Sequence, residues 1–226
     1  EKLEITPGPL AIVSQSGSMM GGLMSRGLGR GAGFSKLVSV GNEADLGVGE
    51  VTDAIVDDPQ TGAILLFMET IRDADRLAYA ARRAAAAGKP VIVYKLGRSE
   101  VGQDLAASHT GAMAGADEVA DAFFRAHGML RVDILENLFE LPLMLAGQKP
   151  ARRHRVAVMT TTGGGAALVA DRLGTFGVDV VPPSEKVIAN LAQKNNIRIS
   201  KARLTDLTLA GAKPETIDFV QTYDDY

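Results

Sequence analysis

Cysteine is absent from this chain. That excludes a disulfide framework, thiol chemistry and any zinc site built on thiolates, and it fits a cytoplasmic location. Long apolar runs are missing as well. None reaches the roughly 18 residues that a membrane helix requires, so no membrane partner is expected. Glu1-Lys2-Leu3-Glu4 is charged and Leu10–Val13 is too short for the apolar core of a signal peptide. There is no basic excess, the net charge being −3. Arg82-Arg83 and Arg152-Arg153 are too short to form the clustered surface that nucleic acid needs, and solvated faces are the plainer reading. Histidine is scarce: His109, His127 and His154 are the three. They are scattered and no carboxylate spacing accompanies them, so no metal site is expected.

What is present is a chain of 226 residues, 46% of them hydrophobic, which suffices for a packed core. Strand and helix patterns alternate. Leu10–Val13, Leu37–Val40, Ala63–Met68, Val91–Tyr94 and Met129–Val132 read as strands. Helices are expected over Met19–Arg30, Gly49–Asp57, Ala74–Ala87 (stopped by Gly88), Ala116–His127 and Ile134–Leu145. The segment from Leu96 through His109 reads as a loop. Unbroken apolar strands separated by helices predict a parallel sheet covered on both faces, here a flavodoxin-like domain over residues 8–147.

Gly147–Arg153 reads as a linker, after which the pattern restarts. Val156–Met159 is a strand and Thr160–Gly165 a turn. Ala166–Phe176 is a helix and Val178–Val181 a strand. A helix starting at Ser184 runs to about Ala192, with Ser184 as its cap. The tail offers a strand or loop near Leu204, Leu207 and Leu209, then a short helix at Pro214. Residues 151–226 are therefore expected to be a second doubly wound α/β domain, incomplete. The abrupt start, with only a Pro-Gly-Pro turn before the first strand, points to a fragment of something longer.

In doubly wound sheets ligands sit beyond the carboxyl ends of the strands. Those ends here carry Ser16, Asn42, Glu69 and the His109 segment. His109 stands among small residues, Ala107-Ser108-His109-Thr110-Gly111, where other backbone can approach closely. It reads as a nucleophile that carries a phosphoryl group, or more plainly as a surface histidine. Glu69 is either a solvated strand end or the acceptor that holds one ring nitrogen so the other is presented. Ser16-Gly17-Ser18 opens a helix, where unpaired N–H groups and the helix dipole can hold an anion; a tight capped turn is the alternative. The Thr160–Gly165 turn has the same two readings. Neither a P-loop nor a dinucleotide fingerprint is present, and Ser14-Gln15-Ser16-Gly17 is not the elbow of a serine hydrolase.

Taken together and in order, several stretches resemble one family. They are Gly8–Gly17, Gly33–Asp45, the strand ending in Glu69, Gly88-Lys89-Pro90-Val91 and Ser108-His109-Thr110-Gly111-Ala112; Thr162-Gly163-Gly164-Gly165 matches more loosely. The chain resembles the nucleoside-diphosphate-forming acyl-CoA synthetases, relatives of the succinyl-CoA synthetase α subunit. The resemblance implies that His109 is the phosphohistidine and Glu69 its partner. Ser16, Gly17 and Ser18 would grip phosphate, and the loop with Asn42, together with Gly111, would lie near the same site. It implies use of CoA and of ATP or ADP with Mg, bound mainly by a CoA-binding domain and an ATP-grasp domain or subunit that this sequence lacks. Acyl-CoA or a carboxylate would be the substrate, and a homo-oligomer is a further expectation. The isolated fragment would be inactive. The alternative is a non-catalytic, acyl-CoA-responsive regulatory or interaction module with the same fold.

Overall fold

The computed structural model of the chain describes residues 4–110, 117–145, 155–195 and 198–207, the side chains of 106–110 and 195 excepted. It divides into two compact units, Glu1–Gln148 and Lys149–Tyr226.

The first unit is built on a five-stranded sheet. Its strands are β1 (Pro7–Ser14), β2 (Phe34–Ser39), β3 (Ala63–Met68), β4 (Val91–Lys95) and β5 (Leu130–Arg131), in the spatial order β2-β1-β3-β4-β5. All neighbours are parallel. The helices are α1 (Gly17–Leu28), α2 (Val48–Val56), α3 (Ala74–Ala86), α4 (Glu100–Thr110), α5 (Asp117–Ala126) and α6 (Asn137–Leu145). Because the strand side chains alternate, each central strand feeds two cores. Ala11, Val13, Ile64, Leu66, Met68, Val91 and Val93 face α2, α3 and α5, with Leu77 and Phe124 among the partners. Leu10, Ile12, Leu65, Phe67 and Ile92 face α1 and α6, meeting Leu23, Leu138 and Phe139. Phe139 is almost fully buried, and its truncation to Ala would cost about 3–5 kcal/mol.

Two motifs have structural explanations here. A Cβ on Gly8 would lie 2.4 Å from the Cα of Gly33. The two glycines thus let the start of β1 pass against the residue before β2. Lys89 donates from Nζ to the carbonyls of Val56 and Asp58, each at 2.6 Å. It closes the carboxyl end of α2, where carbonyls lack helical partners, while Gly88 turns the chain at φ +70°.

The second unit contains β6 (Arg155–Val156), β7 (Val158–Thr160), α7 (Gly163–Thr175), β8 (Asp179–Val180), α8 (Glu185–Asn195) and β9 (Leu204–Asp206). The expected strand over Val156–Met159 is broken at Ala157. Its first part pairs with β8 and its second with β9, both parallel. Ser184 caps α8, its Oγ accepting the Val187 N–H at 3.3 Å. Val187 and Leu191 pack on Leu207, with Met159 and Ile199 beside them. The linker at 147–153, His154 and the expected helix at Pro214 lie outside the described residues.

The segment from Leu96 through His109 corrects the expectation of a loop. Its backbone is helical from Glu100 to Thr110. Gly97 turns the chain at φ +84°, and Ser99 then caps the helix, its Oγ accepting the Gly102 N–H at 3.1 Å. Glu100, Gln103, Leu105, Ala106 and Ala107 are good helix formers, and they outweigh Gly102. The periodic apolar stripe that would announce a helix is weak in this segment, so the pattern alone reads as loop.

Candidate functional site at the strand ends

The strands of the first sheet finish side by side. Ser14 is in register with Ser39 and with Phe67, and Met68 with Lys95. The chain leaves β1 through Gln15, β2 through Val40, β3 through Glu69 and β4 through Leu96. Backbone hydrogen bonds continue past the strands: Gln15 N–H to Phe67 O at 3.1 Å, Val40 N–H to Ser14 O at 2.9 Å, and Leu96 N–H to Met68 O at 2.9 Å. The residues on this ledge are held by ladder hydrogen bonds that run past the strand ends.

Ser16 ends the turn and caps α1. Its backbone is extended, and its Oγ accepts the Met19 N–H at 3.3 Å. Ser14 braces the same turn, donating from Oγ to Ser16 O at 2.8 Å and accepting the Ser16 N–H at 3.0 Å. Ser16 and Ser18 share a hydroxyl contact at 3.3 Å. Gly17 and Ser18 are exposed, and α1 has no acidic residue in its first turn. The helix start is therefore open to an anion, with no carboxylate on its own first turn to repel it.

Glu69 is buried, only 5% exposed, so it is not a solvated strand end. It is Gln15 that holds this corner, a residue whose role sequence reasoning missed. Gln15 Oε1 accepts the N–H groups of Glu69 at 2.5 Å and Thr70 at 3.0 Å. Its Nε2 donates to Thr70 O at 2.9 Å and to the Glu43 carboxylate. The other Glu43 oxygen accepts the Val48 N–H, the first residue of α2, at 2.9 Å. Glu43 sits at φ 54° and Gly41 at φ +55°, so the Gly41–Asp45 loop turns back toward the ledge. Asn42 is exposed within that turn. The one sequence signal for Gln15 was an amide directly after an apolar strand; its partners are 28 to 55 residues away, beyond local pattern.

Three strand ends are thus fastened into one network: β1 through Gln15 and Ser16, β3 through Glu69 and Thr70, and the loop after β2 through Glu43. The backbone of His109 lies in the last turn of α4, which follows β4. The His109 side chain and Gly111 lie outside what the structure describes. His127 packs edge-on against Phe123, ring centroids 4.8 Å apart. Among the described residues no group of three or more His, Asp or Glu side chains is placed to hold a metal ion, and no helix is long and apolar enough to cross a membrane.

At the β5 edge of the sheet stands a second charged cluster. Lys95 is buried and donates to Leu96 O at 2.8 Å. Burial, and then the charge of Arg131, pull its pKa down from the usual lysine value. Arg131 grips the Asp117 carboxylate with two bonds, at 2.5 and 3.2 Å. Burial alone would raise the Asp117 pKa, but the Arg131 hydrogen bond and charge outweigh it and the pKa falls.

A family model, the succinyl-CoA ligase like flavodoxin domain, matches residues 7–145, more than half of the chain. The α subunit of an ADP-forming acetate–CoA ligase I from Pyrococcus furiosus is 36% identical over 189 residues, covering 83% of this chain and 41% of that protein. An ADP-forming 4-hydroxybutyrate–CoA ligase from Nitrosopumilus maritimus is 34% identical over 172 residues, covering 75% of this chain and 25% of that protein. Among solved structures, acetyl-coenzyme A synthetase 1 of Ca. Korarchaeum cryptofilum, described as dinucleotide forming and in complex with phosphate and ADP, superposes with a TM-score of 0.80. It shares 31% identity, and the match covers 91% of this chain and 44% of that one. The chain spans less than half the length of each of these relatives.

Proposed function

The chain belongs to the family of succinyl-CoA ligase like flavodoxin domains, and on that premise we propose that it is the phosphohistidine-bearing part of an NDP-forming acyl-CoA synthetase. The observation that carries this reading is the Gln15 network. It fastens the backbone of Glu69, a buried acidic residue, next to a helix start open to an anion, at the strand ends from which the His109 helix departs.

In this reading phosphate displaces CoA from an acyl-CoA, giving an acyl phosphate and free CoA. His109 then attacks the phosphorus through a ring nitrogen, and the carboxylate leaves. Glu69 accepts a hydrogen bond from the other ring nitrogen, which fixes the tautomer and offsets the positive charge that develops on the ring. The N–H groups of Gly17 and Ser18, with the serine hydroxyls, receive the phosphoryl oxygens. These dipoles are already aligned by α1, so little reorganisation accompanies transfer. Asn42 is assigned to the same site, and Gly111 is included in it on the family resemblance alone. The phosphohistidine finally gives its phosphoryl group to ADP, and Mg supplies charge neutralisation on the nucleotide phosphates. CoA and nucleotide are held mainly by CoA-binding and ATP-grasp domains or subunits of the same enzyme, a cytoplasmic one.

The test uses the full-length parent enzyme with labelled ATP and Mg. Wild type should acquire acid-labile, base-stable label, and His109→Ala should acquire none. Equal labelling of the two would overturn the reading in favour of a non-catalytic, acyl-CoA-responsive module.

A further inference from the structure

The connection between β4 and α5 carries α4 and His109. Both of its ends are tied to the same short stretch of chain. Near its start, Arg98 forms an ion pair with Asp133. At its far end Asp117, the first residue of α5, is held by Arg131. Arg131 and Asp133 are two residues apart, at the exit of β5. So Arg98 and Asp117, at the two ends of the connection, both meet the short stretch 131–133.

The two ties differ in kind. Arg98 and Asp133 are exposed, at 44% and 68%. Arg131 is not: its side chain is 5% exposed, its guanidinium lies over the Phe124 ring at 5.9 Å, and Asp121 stands 3.8 Å away. Among the described residues its buried Nε has no hydrogen-bond partner. Buried Lys95 adds a second cation. A buried guanidinium paired with a carboxylate that is 21% exposed is an uneconomical way to stabilise a sheet edge, since a well-packed apolar side chain would serve as well or better. What the pair does provide is a two-point, directional hold on the first residue of α5.

We propose that Arg131 is a positioning residue: acting through Asp117, and with the Arg98–Asp133 pair at the other end, it clasps the α4 connection and sets where His109 stands for phosphoryl transfer. The inference rests on the phosphohistidine reading above.

The test follows phosphohistidine formation in the intact synthetase, in a single turnover with labelled ATP and Mg. Arg131→Met should keep the fold, by circular dichroism, and the KM for ATP, while the rate of labelling falls by about 10- to 100-fold, the scale expected for a misplaced reacting group. Arg131→Lys, which keeps charge but loses the fork, should recover part of that loss. Arg98→Asp or Asp133→Arg alone should slow labelling by roughly 2- to 5-fold, as for exposed pairs, and the two together should restore it. The proposal is overturned if Arg131→Met labels at the wild-type rate, or if its loss only tracks the unfolded fraction. Should Arg131→Met fail to fold, the exposed pair decides: restoration in the charge swap supports the clasp, and single variants without effect overturn it. His109→Ala separates the two levels. If it labels like wild type, the phosphohistidine reading and the clasp both fall. If it is silent while Arg131→Met labels normally, the clasp alone falls.

Discussion

The side-chain amide of Gln15 holds the main chain of Glu69, its Oε1 taking the Glu69 N–H at 2.5 Å while its Nε2 reaches back to Thr70 O. A side chain from the residue just after β1 thereby completes the hydrogen bonding of the turn that leaves β3. Substituting Gln15 with Met keeps the volume and removes the partners. The buried N–H groups of Glu69 and Thr70 then lose the Gln15 acceptor, and each such loss costs about 1–3 kcal/mol. Gln15→Met should therefore lose about 2–6 kcal/mol in urea unfolding followed at equilibrium. A variant with wild-type stability would show that the network does not fasten the strand ends.

Glu69 is predicted to act through its charge. Glu69→Gln keeps the shape, and Gln15 still grips the backbone. If the carboxylate orients His109 and offsets its charge, the rate of labelling in the full-length enzyme should drop by about 10²-fold or more, the usual scale for a lost acid–base partner. The thermal midpoint should stay near wild type. A labelling rate unchanged by the substitution would remove Glu69 from the mechanism.

Gly27 lies where α1 crosses β2 and α6. A Cβ there would sit 2.5 Å from Phe34 Cζ and 3.1 Å from the Phe139 ring. Gly27→Ala should destabilise by about 1–3 kcal/mol through overpacking. Gly21, on the same helix, has nothing within 4 Å of such an atom. Gly21→Ala should be neutral or stabilise by up to about 1 kcal/mol from helix propensity. Denaturant midpoints of the pair test the contrast, and equal effects would contradict the packing described.

Asp58 gives a pH signature. Hydrogen bonds from Lys36 at 2.7 Å and Thr61 at 2.8 Å lower its pKa from 3.8 to about 2. The folded value lies below the unfolded one. The stability it contributes is therefore complete above about pH 4 and is lost as the pH falls through 2. Asp58→Asn should flatten the stability profile in that window and leave its shape near neutrality unchanged. An identical acid slope in the variant would mean the interaction does not persist in solution.

The strand runs were legible because β3 and β4 are buried on both faces, so Ala63–Met68 and Val91–Val93 had no reason to alternate. Gly17 and Ser16 were legible because capping chemistry is local. Gln15 was not, since its importance depends on where β3 ends, more than 50 residues on. The α4 helix was hidden for a related reason: its start is fixed by the Ser99 cap, and its interior carries too few apolar residues to show a period. Arg131 and Asp117 carried no signal in the sequence, since their pairing depends on where α5 and β5 come to lie in the fold.

The break at Ala157 has a consequence for how the chain breathes. Pairing in the second unit is two residues long between β6 and β8 and three between β7 and β9, whereas β3 has five paired residues on each side. Opening a ladder that short disrupts few bonds at once, and amide exchange follows the smallest opening that frees each proton. Amides of β6 and β7 should therefore take up deuterium through local fraying, while those of β3 wait for the whole first sheet to come apart.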